Sequence, residues 1–344
     1  MPITYNKKKH LSRAGELYCE KIELHNGMKR EGCLKMCRYL DNITQVQVLP
    51  NPSPLPMSEL SGYTIRTMTR PELDTAVEWA AGEGWNPGTG DAECFYRTDP
   101  DGFLVGLIDS EPVAAISVVR YGASSGFLGF YLVRPEYRGM GLGLRIWHAG
   151  LARLEGRTAG LDGVVAQQEN YRKSGFVTAW RNIRYEGTGG DEGENNIPKR
   201  ESIVPLSELP FEELLEYDCA LFAEQRRTFL DCWISRQGSV GLGIKENGRI
   251  AGYGVIRPCR NGFRIGPLFA DRPDLAEALF SALKTPLPAG TPFFLDIPQP
   301  NPAALEMAYR HRMRAVFETA RMYRGVAPEL PMHRTFGITT FELG

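Results

Sequence analysis

Two stretches of this chain, about 137 residues apart, read as variants of one another, and both copies must therefore form the same elements in the same order. GLIDSEPVAAISVVRYGASSGF (106–127) aligns with GIKENGRIAGYGVIRPCRNGF (243–263) through Gly106 and Gly243, Val113 and Ile250, Ala114 and Ala251, Arg120 and Arg257, and Phe127 and Phe263. The spacing holds later, at Tyr185 with Tyr323 and Gly187 with Gly325. Each block reads as strand, tight turn (Ser110-Glu111-Pro112 or Asn247-Gly248), strand, turn, strand, helix, strand, helix, strand, an α/β fold with a mixed sheet.

The chain has 344 residues, too many for one ordinary core. Residues 1–60 read as an N-terminal extension ending in the stiff linker LPNPSPLP, with Met57 left open as an alternative start. The glycine-rich acidic run GTGGDEGENNI (187–197) marks a second boundary, so the organisation is 61–190, a linker at 191–199, and 200–344. Forty basic residues balance forty-one acidic ones, and no global field draws nucleic acid or anionic lipid. Neither a membrane span nor a secretory leader is read, and a cytoplasmic location is the expectation. The seven cysteines are odd in number and scattered, which reads as structural or incidental thiols rather than a disulfide framework. Cys33 and Cys37 lack a second ligand pair, His148, His311 and His333 are too dispersed, and no metal site is expected.

YRGMGLGLRI (137–146) follows the β run GFLGFYLV (126–133) and precedes Leu144, Trp147, Leu151 and Leu154 at helical spacing. Glycines on a strand-to-helix turn expose the unpaired amides of the first helical turn at the positive end of the helix dipole, where a phosphate meets no Cβ. Arg138 adds a fixed positive charge. Gly143-Leu144-Arg145 excludes a Walker loop, and the pattern R-x-x-G-x-G lacks the G-x-G-x-x-G context of a dinucleotide fold. Together with NYRKSGF (170–176), a Y-x-x-x-G-F element, the turn resembles the pyrophosphate loop of the GNAT superfamily of acyl-CoA-dependent N-acyltransferases. The resemblance covers 61–190 directly and the second block through the repeat, which is similar to two-domain members of the family.

The resemblance implies that pantetheine lies between splayed fourth and fifth strands, against the backbone of Leu132 and Val133, and that Arg138, Gly139, Met140, Gly141, Leu142 and Gly143 take the pyrophosphate. It gives Tyr171 the part of general acid toward the leaving thiolate; a ring packed beneath the acyl channel is the bland alternative. Where many relatives carry Asn, seven residues before that tyrosine, this chain has Val164, with Gln167, Gln168 and Asn170 in the loop and Asn170 assigned to the cofactor side. Trp85, Asp91 and Glu93, in EGWNPGTGDAECFY, are the candidates at the acceptor wall, against an ordinary turn and helix start. The implied activity is acetyl-CoA-dependent N-acetylation of a primary amine, small molecule or lysine, without nucleic acid, membrane or metal. A longer acyl-CoA, or acyl-CoA sensing without turnover, stays open. At 269–283 the second block has no glycine and carries Asp271, Asp274 and Glu277 instead, so it reads as a degenerate copy, although Tyr309 echoes Tyr171.

Overall fold

The computed structural model describes residues 62–190, 203–222 and 224–344, which fall in one compact unit. The N-terminal extension, the Pro-rich linker, Met57, Cys33, Cys37 and the 191–199 linker lie outside the described residues.

The first half runs β1 (Thr64–Thr67), α1 (Arg70–Gly82), α2 (Asp91–Thr98), β2 (Phe103–Ile108), β3 (Glu111–Tyr121), β4 (Ser125–Val133), α3 (Leu142–Arg153), β5 (Thr158–Val164), α4 (Gln168–Lys173) and β6 (Val177–Thr188). The second runs β7 (Ile203–Pro205), α5 (Phe211–Phe222), α6 (Arg227–Ser235), β8 (Val240–Glu246), β9 (Arg249–Pro258), β10 (Phe263–Ala270), α7 (Pro273–Lys284), β11 (Pro292–Pro298), α8 (Pro302–Arg310), β12 (Arg314–Arg324) and β13 (Thr335–Gly337). Local chemistry sets these boundaries. α1 starts at a Thr69/Glu72 capping box with a proline in its first turn and buries Leu73, Ala76, Val77 and Ala80, an i, i+3, i+4, i+7 stripe. α3 buries Leu142, Ile146, Trp147 and Gly150. That corrects the stripe read through Leu144, which is exposed: Gly150 lets the helix approach Val118 so closely that a Cβ there would stand 2.8 Å from its Cγ1.

One sheet runs through both halves in the order β1-β2-β3-β4-β5-β12-β6-β11-β10-β9-β8-β7, with β13 added on β10. The halves exchange β6 and β12. β12 pairs with β5 of the first half, β6 pairs with β11 of the second, and the two exchanged strands pair with each other. Each exchange carries a buried ion pair at directly opposed positions, Arg184 with Asp296 (2.6 Å) and Arg321 with Asp162 (2.7 Å).

One sheet face carries α1, α2, α5 and α6 over a core shared by both halves, where Phe95 stacks on Trp233. The other face has separate cores under α3 and α4 and under α7 and α8. A disulfide joins Cys94 on α2 to Cys232 on α6 across the shared core, a correction to the reading of unpaired thiols. Spacing along a chain cannot show two helices meeting across an internal symmetry axis.

The repeat does not keep one offset: the bridged cysteines are 138 apart, whereas the reciprocal Arg184 and Arg321 are 137 apart. A Cβ on Gly106 would strike Tyr63 on the α3 face, whereas one on Gly243 would strike Leu206 and Leu209 on the shared face. Glycines aligned at 137 thus lie on opposite faces, as a one-residue slip requires.

Candidate active site

The site is built by a strand that acquires one residue too many. Along β3 and β4, Ala115 faces Leu132 while Ser117 faces Gly129, so two steps on β3 match three on β4, and the bulged Phe130 has φ +45°. Parallel pairing of β4 with β5 runs from Ser125↔Thr158 to Leu128↔Leu161 and stops. Beyond that point β4 keeps β3 on one edge and β5 keeps β12 on the other. Between them opens a wedge whose β4 edge, Gly129–Val133, pairs with no strand among the described residues. Leu132 is buried against the shared core and Val133 turns its side chain to the α3 side; of the two, Val133 has its backbone toward the wedge, where its carbonyl accepts from Arg138.

The glycine turn stands at the mouth. Gly139 and Gly141 have φ +81° and +79°, and a Cβ on either would meet nothing within 4 Å, so their open side faces solvent. Gly141 is the N-cap of α3 and no side chain caps the helix, leaving the first amides for a ligand. Gly143 serves packing: a Cβ there would stand 2.8 Å from the Tyr131 hydroxyl. Leu142 is buried, and Met140 packs at the edge of a small cluster with Tyr63 and Val113. Arg138 folds back, donating from Nε to the Val133 carbonyl (2.9 Å) and pairing with Glu83 at the end of α1. Reaching a phosphate means leaving those partners.

Tyr171, on α4, lies across the floor of the wedge. A Cβ on Gly163 of β5 would be 2.9 Å from its ring, and its centroid is 5.2 Å from Trp147 and 6.5 Å from Tyr131. Trp147 in turn donates to Ser174 Oγ (3.0 Å), tying α3 to the end of α4. Burial, with Tyr131 beside it, raises the Tyr171 pKa and keeps the phenol protonated. Asn170 is exposed and donates to Gln167 (2.8 Å).

The acceptor-wall candidates fall into other partnerships. The Trp85 carbonyl accepts from Arg184 (2.8 Å) and Arg264 (3.1 Å), and Asn86 exchanges hydrogen bonds with Asn261, so this loop is clamped to β6, β10 and the turn between β9 and β10. Asp91 is buried and bound by Arg236 and Arg257; burial alone would push its carboxyl up, but the two guanidiniums hold it below its ordinary value. Glu93 makes a surface pair with Arg70 (3.1 Å). Sequence reasoning missed Ser117, Thr319 and Glu342, whose Oγ, Oγ1 and Oε2 atoms are buried without a hydrogen-bond partner. Spacing carries no signal for them, because three distant segments bring them in.

The second half repeats the bulge but not the wedge. Ile265 faces Ile256 and Leu268 faces Gly254, again one extra residue, and β10 leaves β11 after Ile265↔Leu295. There β13 fills the gap, pairing Gly337 with Leu268 while Ile338 donates to the Asp296 carbonyl (2.9 Å). β10 ends at Ala270 and α7 begins at Pro273, with no room for a glycine turn. Asp274 is held by Arg272 (2.8 Å), Asp271 by Arg334 (2.6 Å) and Glu277 by Arg310 (2.6 Å). Tyr309, the echo of Tyr171, is 83% exposed on α8.

Comparison with known proteins agrees with this architecture. Residues 69–176 match the "Acetyltransferase (GNAT) family" and residues 214–337 the "Acetyltransferase (GNAT) domain". The chain is 32% identical over 288 residues to "Holothin acyltransferase" of Pseudoalteromonas sp., covering 84% of this chain and 97% of the relative. A putative acetyltransferase from Pyrococcus horikoshii superposes with a TM-score of 0.69 at 24% identity, covering 87% of this chain and all of the other. A tandem GNAT protein from the clavulanic acid biosynthesis pathway gives 0.56 at 15% identity, over 78% of this chain and 99% of the other.

Proposed function

Because this chain belongs to the GNAT family of acyltransferases, we propose that it transfers an acetyl group from acetyl-CoA to a primary amine, of a small molecule or a lysine side chain, by direct attack on the thioester. The observation that carries the proposal is the open wedge between β4 and β5, with an uncapped helix start at its mouth and Tyr171 across its floor.

The residues present suit acyl-CoA. The free β4 edge offers alternating donors and acceptors to the pantetheine amides, and the turn 138–143 offers amides to the pyrophosphate. Acyl-CoA supplies the activated carbonyl and a leaving sulfur. Tyr171, kept protonated, hands a proton to that sulfur as the carbon–sulfur bond breaks. A second reading, a longer acyl donor, draws on the relative named as an acyltransferase.

Release of CoA thiol, followed with acetyl-, butyryl- and octanoyl-CoA against a panel of alkyl and aryl amines and lysine peptides, tests the proposal. Amine-dependent release fastest with acetyl-CoA is expected. Preference for octanoyl-CoA replaces the donor, and binding of acyl-CoA without release from any pair replaces catalysis with sensing.

A further inference from the structure

An alkylammonium with a pKa near about 10.4 must lose a proton before it attacks, and the reading above names no group to take it. We propose that Glu342, carried by the segment that follows β13, takes this proton at the wedge of the first half. The assignment rests on the acyltransfer reading and deepens it.

After plugging the second wedge, the chain crosses the shared face from one bulge to the other. A Cβ on Gly266 would lie 2.6 Å from the Thr339 carbonyl oxygen, and one on Gly129 would lie 2.2 Å from that of Glu342. Both glycines are required by the passage of this segment. Tyr121 fixes it by donating to the Leu343 carbonyl (3.0 Å), and Arg184 covers Phe341 at 4.7 Å. The second half thus carries the backbone of Glu342 onto the shared-core side of β4, beside the bulge where the wedge opens. Tyr171 stands on the opposite, α3 side.

Elimination points the same way. On this face Asp91 is engaged by Arg236 and Arg257, Asp162 by Arg321 and Asn182, Asp296 by Arg184, and Asp218 by Arg226. Asp162 lies nearest the wedge in sequence, yet the internal repeat supplies its control: the plugged half keeps the same pair as Asp296–Arg184, so the pair serves the strand exchange rather than catalysis. Among the described residues, Glu342 Oε2 is the one buried carboxylate oxygen without a hydrogen-bond partner. The orphaned Ser117 hydroxyl sits at the register position opposite Gly129, at the same bulge. Unpaired buried polar atoms are costly and concentrate where a substrate is to pair with them.

The charged groups facing Glu342 are Arg264 from β10, Arg184 from β6, Arg257 from β9 and Asp91 from α2. Burial outweighs the three cations and raises the carboxyl above its ordinary range, nearer the operating pH of a base. The protons balance. Glu342 takes one from the ammonium; the nitrogen then bonds to the thioester carbon and the carbon–sulfur bond breaks. The nitrogen's second surplus proton leaves through water and restores the Tyr171 phenol, which has given its own to sulfur, and Glu342 returns its proton to water.

The test is the pH profile of thiol release by wild type, Glu342→Gln and Glu342→Asp, using the fastest amine of the panel above. Wild type is expected to show an acid limb centred above the ordinary glutamate value of about 4.3. Glu342→Gln is expected to lose about 10²- to 10⁴-fold in kcat, and to lose that limb, at unchanged acetyl-CoA affinity by calorimetry and a thermal midpoint no lower than that of wild type. Glu342→Asp keeps the limb at reduced rate. Glu342→Gln within twofold of wild type, or slowed equally at every pH with its acid limb intact, overturns the assignment alone. A wild-type chain that releases no thiol overturns the transfer reading and the base with it.

Discussion

Tyr171 and Gly141 perform opposite tasks within one wedge, one by being enclosed and the other by being bare. The Tyr171 ring has Gly163 beneath it and Trp147 beside it, so removing its hydroxyl leaves the packing in place. Tyr171→Phe is therefore expected to lower kcat about 10²-fold or more with little change in KM for acetyl-CoA, the pattern of an interaction made in the transition state. Equal turnover would return Tyr171 to a packing role. At Gly141 a side chain meets no neighbour, yet φ +79° strains any residue with a Cβ. Gly141→Ala carries that strain without charge, and Gly141→Glu adds a carboxylate on the amides. Calorimetry should show Gly141→Glu losing about tenfold or more in CoA affinity beyond Gly141→Ala; equal affinities would take the pyrophosphate off this turn. The turn itself was legible in R-x-x-G-x-G, because φ demands glycine locally. The packing task of Gly143 was not, since it depends on Tyr131 from another strand.

Among elements, the exchanged strands β6 and β12 hold the two halves in one sheet. Removing one partner of a buried ion pair leaves an uncompensated charge and costs about 3–5 kcal/mol. Arg321→Met, which strands Asp162, should lower urea-unfolding stability by that order, and the double variant with Asp162→Asn should recover part of it. No loss in Arg321→Met would mean that the pair is idle. The reciprocal pair sets a pH dependence. Burial pushes the Asp296 carboxyl up, but Arg184 and Arg264 hold it below its ordinary value. Its contribution is present above the unfolded pKa of about 3.9 and is lost as pH falls below that. The order from β2 to β6 and from β8 to β12 was readable from alternation and turns, whereas β1, α1 and α2, their counterparts β7, α5 and α6, and the plugging strand β13 were not. Nor was the strand exchange: β6 and β12 carry the same sequence signal whether each closes its own half or the other, and only the register opposing Arg184 to Asp296 and Arg321 to Asp162 decides it.

At the scale of the whole molecule, two copies of one plan have become one wedge that opens and one that is shut. Both bulges survive, so the duplication kept the means of splaying the strands. The difference is β13, which pairs with β10, and Ile338 just after it, which bonds to β11, where the first half leaves the facing edges of β4 and β5 unpaired. It fits closely: a Cβ on Gly337 would stand 2.4 Å from Leu295 Cδ1. A pantetheine arm entering there would have to displace a bonded strand, and would find at the α7 start Asp274, a charge of the same sign as its phosphates. One acyl-CoA per chain, in the first half, is therefore expected. Calorimetric titration with CoA should saturate at one equivalent, and Gly141→Glu should weaken that one site rather than leave a second behind at wild-type affinity. Saturation at two equivalents, or one equivalent persisting in Gly141→Glu at wild-type affinity, would place a working site under α7 and require β13 to leave its wedge.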